Sequence, residues 1–216
     1  MKAVASVEGV VSPPPAAPKA GEARWDWVAV VVAASVVSLA SSRYLAGGVS
    51  MIPPPLRPNF IGHPAAFYVH IGAASTALLV GPWQFWDGVR RKHMAIHRVM
   101  GAMYVTACLV GGLAALPIAL GSNGGPVATA GFLTLAVLWL WTTARAVIAI
   151  VSGDVPAHRR WMIHSFALTL AGVTLRLYLP VALLGPFGFH NAYAAISWLC
   201  WAPNLLLADR ITQGRK

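Results

Sequence analysis

The sequence predicts an all-α, polytopic membrane protein: six transmembrane helices around a four-helix core. Three observations predict it. Hydrophobic residues make up 57% of the chain, charged residues only 10%, and the mean hydropathy is +0.66, whereas a soluble domain carries about a quarter charged residues. Apolar runs of roughly 18 residues or more, enough to cross a hydrocarbon core about 30 Å thick, recur six times. Lysines and arginines gather in alternate connections between those runs. Lipid cannot solvate an open sheet edge, so helices are the expected element, and 216 residues leave room for one bundle.

Residues 1–24 read as a flexible cytoplasmic tail, because Pro13, Pro14, Pro15, Pro18, Glu8 and Glu22 precede any apolar run. Residues 25–211 read as the transmembrane domain and 212–216 as a basic tail. The first span, about residues 27–46, is interrupted by Arg43, and Ser38-Leu39-Ala40 imitates a signal-peptidase site. A proline-bearing, acidic opening is unlike a secretory leader, so the first helix is expected to be retained.

The second span covers about residues 64–86 and carries His70; Arg90, Arg91 and Lys92 follow it. The third runs over about 98–120, entered through His97-Arg98, and ends at the uncharged turn Ser122-Asn123-Gly124-Gly125. The fourth, about 127–151, holds Trp139, Trp141 and Arg145. His158-Arg159-Arg160 opens the fifth, about 160–183, which contains His164 and Arg176 and leads to the uncharged Gly185-Pro186-Phe187-Gly188. The sixth, about 192–209, is followed by Arg210, Arg215 and Lys216. The positive-inside rule then puts both termini in the cytoplasm of a bacterial inner membrane.

The formal charge of +10 belongs to short loops that face anionic headgroups or a cofactor's phosphate or carboxylate groups. Nucleic acid is not an expected partner, since no separate basic domain or aromatic stacking motif accompanies the charge. The six acids, Glu8, Glu22, Asp26, Asp87, Asp154 and Asp209, all avoid the span centres. That pattern argues against carboxylate-coupled pumping and against intramembrane metalloproteolysis. Ser165 follows His164 directly, and adjacent helical side chains point about 100° apart, so a nucleophile and base pair is not expected there. Cys108 and Cys200 fall inside spans and read as packing residues.

His97 and His158 sit on the first turns of two helices that run the same way, and so at one depth near the cytoplasmic side. Two imidazoles from two helices are the usual axial ligands of a bis-histidine haem b, and Arg98 and Arg159 are placed to hold its propionates. The bland reading is interfacial hydrogen bonding to headgroups or loop carbonyls. His164 lies about 9 Å deeper and about 120° around the helix from His158, and replaces it as ligand if the helix begins late. Otherwise it is an interhelical hydrogen-bonding residue. Arg145 is a further candidate partner for a cofactor carboxylate. His70 and Arg176 reach a similar outer depth and read as the edge of an outer-side polar pocket, with snorkelling of Arg176 as the alternative. No catalytic residue is assigned.

The stretch from Ala157 to Thr169, with Val173-Thr174-Leu175-Arg176-Leu177, His70-Ile71-Gly72, Gly81-Pro82-Trp83-Gln84-Phe85, His97-Arg98 with Gly101, and Trp201-Ala202-Pro203-Asn204, resembles a family of bacterial multi-pass membrane proteins known only as domain of unknown function 2306. The resemblance spans about residues 25–210 and implies a six-helix membrane protein without implying an activity. A looser, architectural likeness is to six-helix b-type cytochromes, which hold one haem between the second and fourth helices and one between the third and fifth. His97 and His158 suit the latter pair, while the fourth span offers His70 no partner.

The expected function is therefore a haem b electron-transfer protein, a membrane oxidoreductase with its cofactor near the cytoplasmic face and a quinone as the candidate electron partner. The alternatives are an accessory or assembly subunit of a larger membrane complex, or a small-anion transporter.

Overall fold

The computed structural model describes residues 22–214, with side chains from residue 26 onward. The side chains of the expected 1–24 tail lie outside the described residues, as do the last two residues of the expected 212–216 tail, whose first two belong to the last helix. Ten helices follow one another with no strand among the described residues. α1 (Glu22–Gly47) leads through two short 3-10 turns to α2 (Arg57–Gly62) and then α3 (Pro64–Val80); α4 (Asp87–Lys92) is a short surface helix before α5 (Met94–Leu120). α6 (Gly125–Val151), α7 (Val155–Thr169), α8 (Ala171–Leu184), α9 (Phe189–Leu199) and α10 (Ala202–Gln213) complete the chain.

Five stretches are long and apolar enough to span a membrane: Asp26–Met51, Pro64–Phe85, Met94–Leu120, Gly125–Val151 and Val155–Leu184. The fifth joins α7 and α8 across a break at Leu170. Where the sequence predicts a sixth span, the structure has α9 and α10, each too short alone to cross, which together cover residues 189–213. α3, α5, α6 and α7 with α8 form the centre; α1 packs outside α3 and α8, and α9 and α10 pack against α6, α8 and α7.

Helix starts follow local chemistry. Asp154 caps α7 by accepting a hydrogen bond from the Ala157 amide at 2.9 Å, and Pro156 occupies the first turn, where its missing N–H costs nothing. That cap begins the helix before His158. α5 likewise begins before His97, whose amide donates to the His93 carbonyl at 3.0 Å. Both histidines therefore sit on first turns, although both helices start a few residues earlier than hydropathy alone places them.

Apolar burial alone does not hold such a bundle, since lipid is as apolar as leucine, and small residues and interhelical hydrogen bonds take over. At Gly81, which ends α3, an added Cβ would lie 2.6 Å from the Phe166 ring of α7. The two mid-bundle breaks face each other and are stitched together. Thr174 Oγ1 donates to the Cys200 carbonyl at 2.6 Å, and Asn204 Nδ2 lies 3.3 Å from the Ala167 carbonyl, 3.2 Å from that of Cys200 and 3.0 Å from Thr174 Oγ1. Pro203 lacks an amide proton at the second break, and the carbonyls loosened there and at Leu170 find these side chains instead.

Replacing Asn204 with Leu keeps the volume and removes the donor. Thermal unfolding in detergent is expected to show a loss of about 1–3 kcal/mol, against almost none for Leu206→Ala on the exposed face of the same helix.

Candidate functional site

At the end of the bundle that carries the basic loops, α5 and α7 bring His97 and His158 together, close enough for their charges to interact. His158 Nδ1 lies 2.9 Å from the Ala146 carbonyl of α6. A carbonyl oxygen only accepts, so Nδ1 carries the hydrogen and the neutral ring keeps its lone pair on Nε2. Ring anchoring of this kind is what orients metal-binding histidines. His97 Nδ1 is buried and has no hydrogen-bond partner.

Gln84, which is 6% exposed, adds a second buried orphan, its Nε2. A Cβ on Gly101 would lie 3.3 Å from Gln84 Oε1. Gly101 follows His97 by one turn on the same α5 face, so Gln84 packs beside the face that carries His97. Arg90 and Arg98 lie within electrostatic reach of His97. Arg159 is exposed on α7, next in sequence to His158. Trp27, Trp83 and Trp86 cluster at this end, with ring centroids 5.4–5.9 Å apart, and the Trp27 indole donates to the Pro82 carbonyl at 3.1 Å.

Deeper in the bundle a hydroxyl network closes the space between α5, α6 and α7. Tyr104 OH lies 3.0 Å from Ser165 Oγ and 2.8 Å from Thr169 Oγ1, Thr143 Oγ1 lies 2.7 Å from Ser165 Oγ, and the Trp139 indole donates to Thr169 Oγ1 at 2.9 Å. All five side chains are buried. Cys108 and Cys200 are buried, free thiols.

The remaining sequence candidates fall elsewhere. His164 has both nitrogens engaged, Nδ1 with the Arg160 carbonyl at 2.8 Å and Nε2 with Asp209 Oδ1 at 2.7 Å. Neither nitrogen is left to bind a metal, and the ring serves instead to tie α7 to α10. Arg145 is exposed, its guanidinium 5.4 Å from the Trp161 ring centroid. His70 and Arg176 line a single cavity of about 230 Å³ at the opposite end, beneath the segment containing Ile52, Pro53, Leu56 and Asn59.

Sequence reasoning did not single out Gln84 as a site residue, nor Asn59, whose Oδ1 is a third buried orphan. Gln84 carried a signal, as the one amide in a stretch of aromatics. Asn59 carried none, since it precedes the span whose cavity it covers.

The chain matches the family described as predicted membrane protein (DUF2306) over residues 67–212. No curated protein and no solved structure matches it.

Thr169→Val removes the hydroxyl on which Tyr104 and Trp139 converge. An unfolding measurement in detergent should show a loss of about 2 kcal/mol, larger than for Tyr104→Phe, which leaves Trp139 paired.

Proposed function

This chain belongs to the DUF2306 family of predicted membrane proteins, and from that premise we propose that it is a redox protein holding one haem b at its basic end. One observation carries the reading. The unpartnered His97 Nδ1 belongs to a ring within electrostatic reach of His158, whose own Nδ1 is anchored so that Nε2 stays free.

Among the described residues no three His, Cys, Asp or Glu side chains gather. A zinc site wants three or four protein ligands, whereas haem iron brings four nitrogens of its own and needs only an axial pair. His97 and His158 would be that pair. Arg98 and Arg159 would meet the propionates, and the basic surroundings suit two carboxylates. Gly101 leaves the α5 face open where a larger side chain would meet Gln84.

When bound, the group would supply one-electron transfer between ferric and ferrous iron. The chain's part is to hold the two rings at one depth, to limit water through the tryptophan cluster on one side and the hydroxyl network on the other, and to set the potential by charge. The arginines favour the oxidised, more positive iron less than a neutral shell would, which raises the potential. The positive-inside bias supports an orientation with this end toward the cytoplasm.

A reduced-minus-oxidised visible spectrum of protein purified from haem-replete cells tests the reading. A Soret band and a sharp α-band are expected, lost or shifted in His97→Ala and in His158→Ala at unchanged protein yield. A folded wild-type preparation with no Soret band contradicts it.

A further inference from the structure

The cavity at the opposite end stands apart from the haem reading and does not depend on it. It lies among α1, α3, α5, α6, α7, α8 and α9, and its walls are largely apolar, with Phe67, Leu78, Leu135 and Leu168 among them. At about 230 Å³ it is below the roughly 300 Å³ of the smallest drug-sized sites, so a short ligand is called for.

Its charged group is Arg176. Nη1 donates to the Gly172 carbonyl at 3.0 Å, and a Cβ on Gly172 would lie 3.8 Å from Nη1. The guanidinium thus lies back over the preceding turn of α8. The near end of the helix, Leu184, is eight residues further on, about 12 Å away. A snorkelling arginine reaches toward the near membrane surface; this one turns the other way. The ion pairs among the described residues join Asp87 to Arg90 and Arg91, and Asp209 to His164, so no carboxylate answers Arg176. A cation in a low-dielectric interior demands a counter-charge.

His70 lines the same cavity and is close enough for its charge to interact with that of Arg176. Its Nδ1 lies 2.9 Å from the Gly111 carbonyl, which can only accept, so the neutral ring offers Nε2 as an acceptor. The guanidinium matches a headgroup with an anionic oxygen, and the imidazole adds a polar atom beside it.

We propose that this cavity is a binding site for a medium-chain carboxylic acid, held with its carboxyl oxygen on Arg176 and its hydrocarbon tail among the apolar walls. The acid binds as its carboxylate, the form it takes in water at neutral pH, so the guanidinium's charge is answered without any proton transfer. A neutral carbonyl ligand such as a quinone would accept from Arg176 but leave its charge unanswered.

The full chain in lipid nanodiscs, titrated with decanoate labelled with ¹³C at the carboxyl carbon, tests this by NMR. A saturable bound signal is expected, with decanol and a decyl-substituted benzoquinone each competing at least about tenfold more weakly. Arg176→Gln, checked for wild-type thermal unfolding, should weaken decanoate binding at least about tenfold, and Arg176→Lys should restore part of it. Decanol or the quinone competing as well as decanoate itself in the wild-type protein overturns the proposal without any variant, as does undiminished binding by a folded Arg176→Gln.

Discussion

A hydrogen-bonding group buried in lipid has no water to fall back on, and this constraint organises the whole bundle. Each unmatched donor or acceptor in a hydrocarbon setting is costly. The fold answers nearly every one. Where α7 and α8 part at Leu170 and α9 and α10 part at Cys200, Thr174 and Asn204 reach the carbonyls. Where Tyr104 and Trp139 bury polar atoms, Thr169 receives both. Where His164 enters the bundle, Asp209 meets it. Against that background the unanswered groups stand out. They are His97 Nδ1 and Gln84 Nε2 at one end, and Asn59 Oδ1 and the charge of Arg176 at the other.

The separation of these groups into two ends follows from what lies between them. The Tyr104, Thr143, Ser165 and Thr169 hydroxyls, with the Trp139 indole, fill the middle of α5, α6 and α7. Thr169 and Trp139 are also part of the cavity wall. The network thus closes the cavity of His70 and Arg176 on the side toward the basic end. An electron could tunnel across such a layer, but a haem at the basic end and a small acid at the other would not touch.

Much of this was legible in the sequence because it rests on local or periodic features. Apolar runs located the spans, and matched helix directions put His97 and His158 at one depth. The Asp154 and Pro156 signal that starts α7 is local as well, and it moves the helix start ahead of His158, where hydropathy had placed it at Arg160. The sixth span reads as one run over about 192–209, whereas the structure breaks it before Pro203. Other features had no local trace. The break at Leu170 has no proline and depends on Asn204, 34 residues on. Asp209 seemed too near the end of its span to matter inside, yet α10 packs on α7 and carries it to His164. Thr143, Ser165 and Thr169 look like ordinary small packing residues until three helices bring them together. Arg145 reads as a partner for a cofactor carboxylate from its place in the fourth span, whereas the structure leaves it exposed beside the Trp161 ring.

The central claim is that the unanswered groups of the basic end are answered by a ligand rather than by the chain. Native mass spectrometry of the full-length protein, released gently from membranes of haem-replete cells, addresses it most directly. The account predicts a principal species heavier than the polypeptide by one haem b, which His97→Ala converts to bare polypeptide. A wild-type protein that keeps its bound lipids but carries no haem would contradict it.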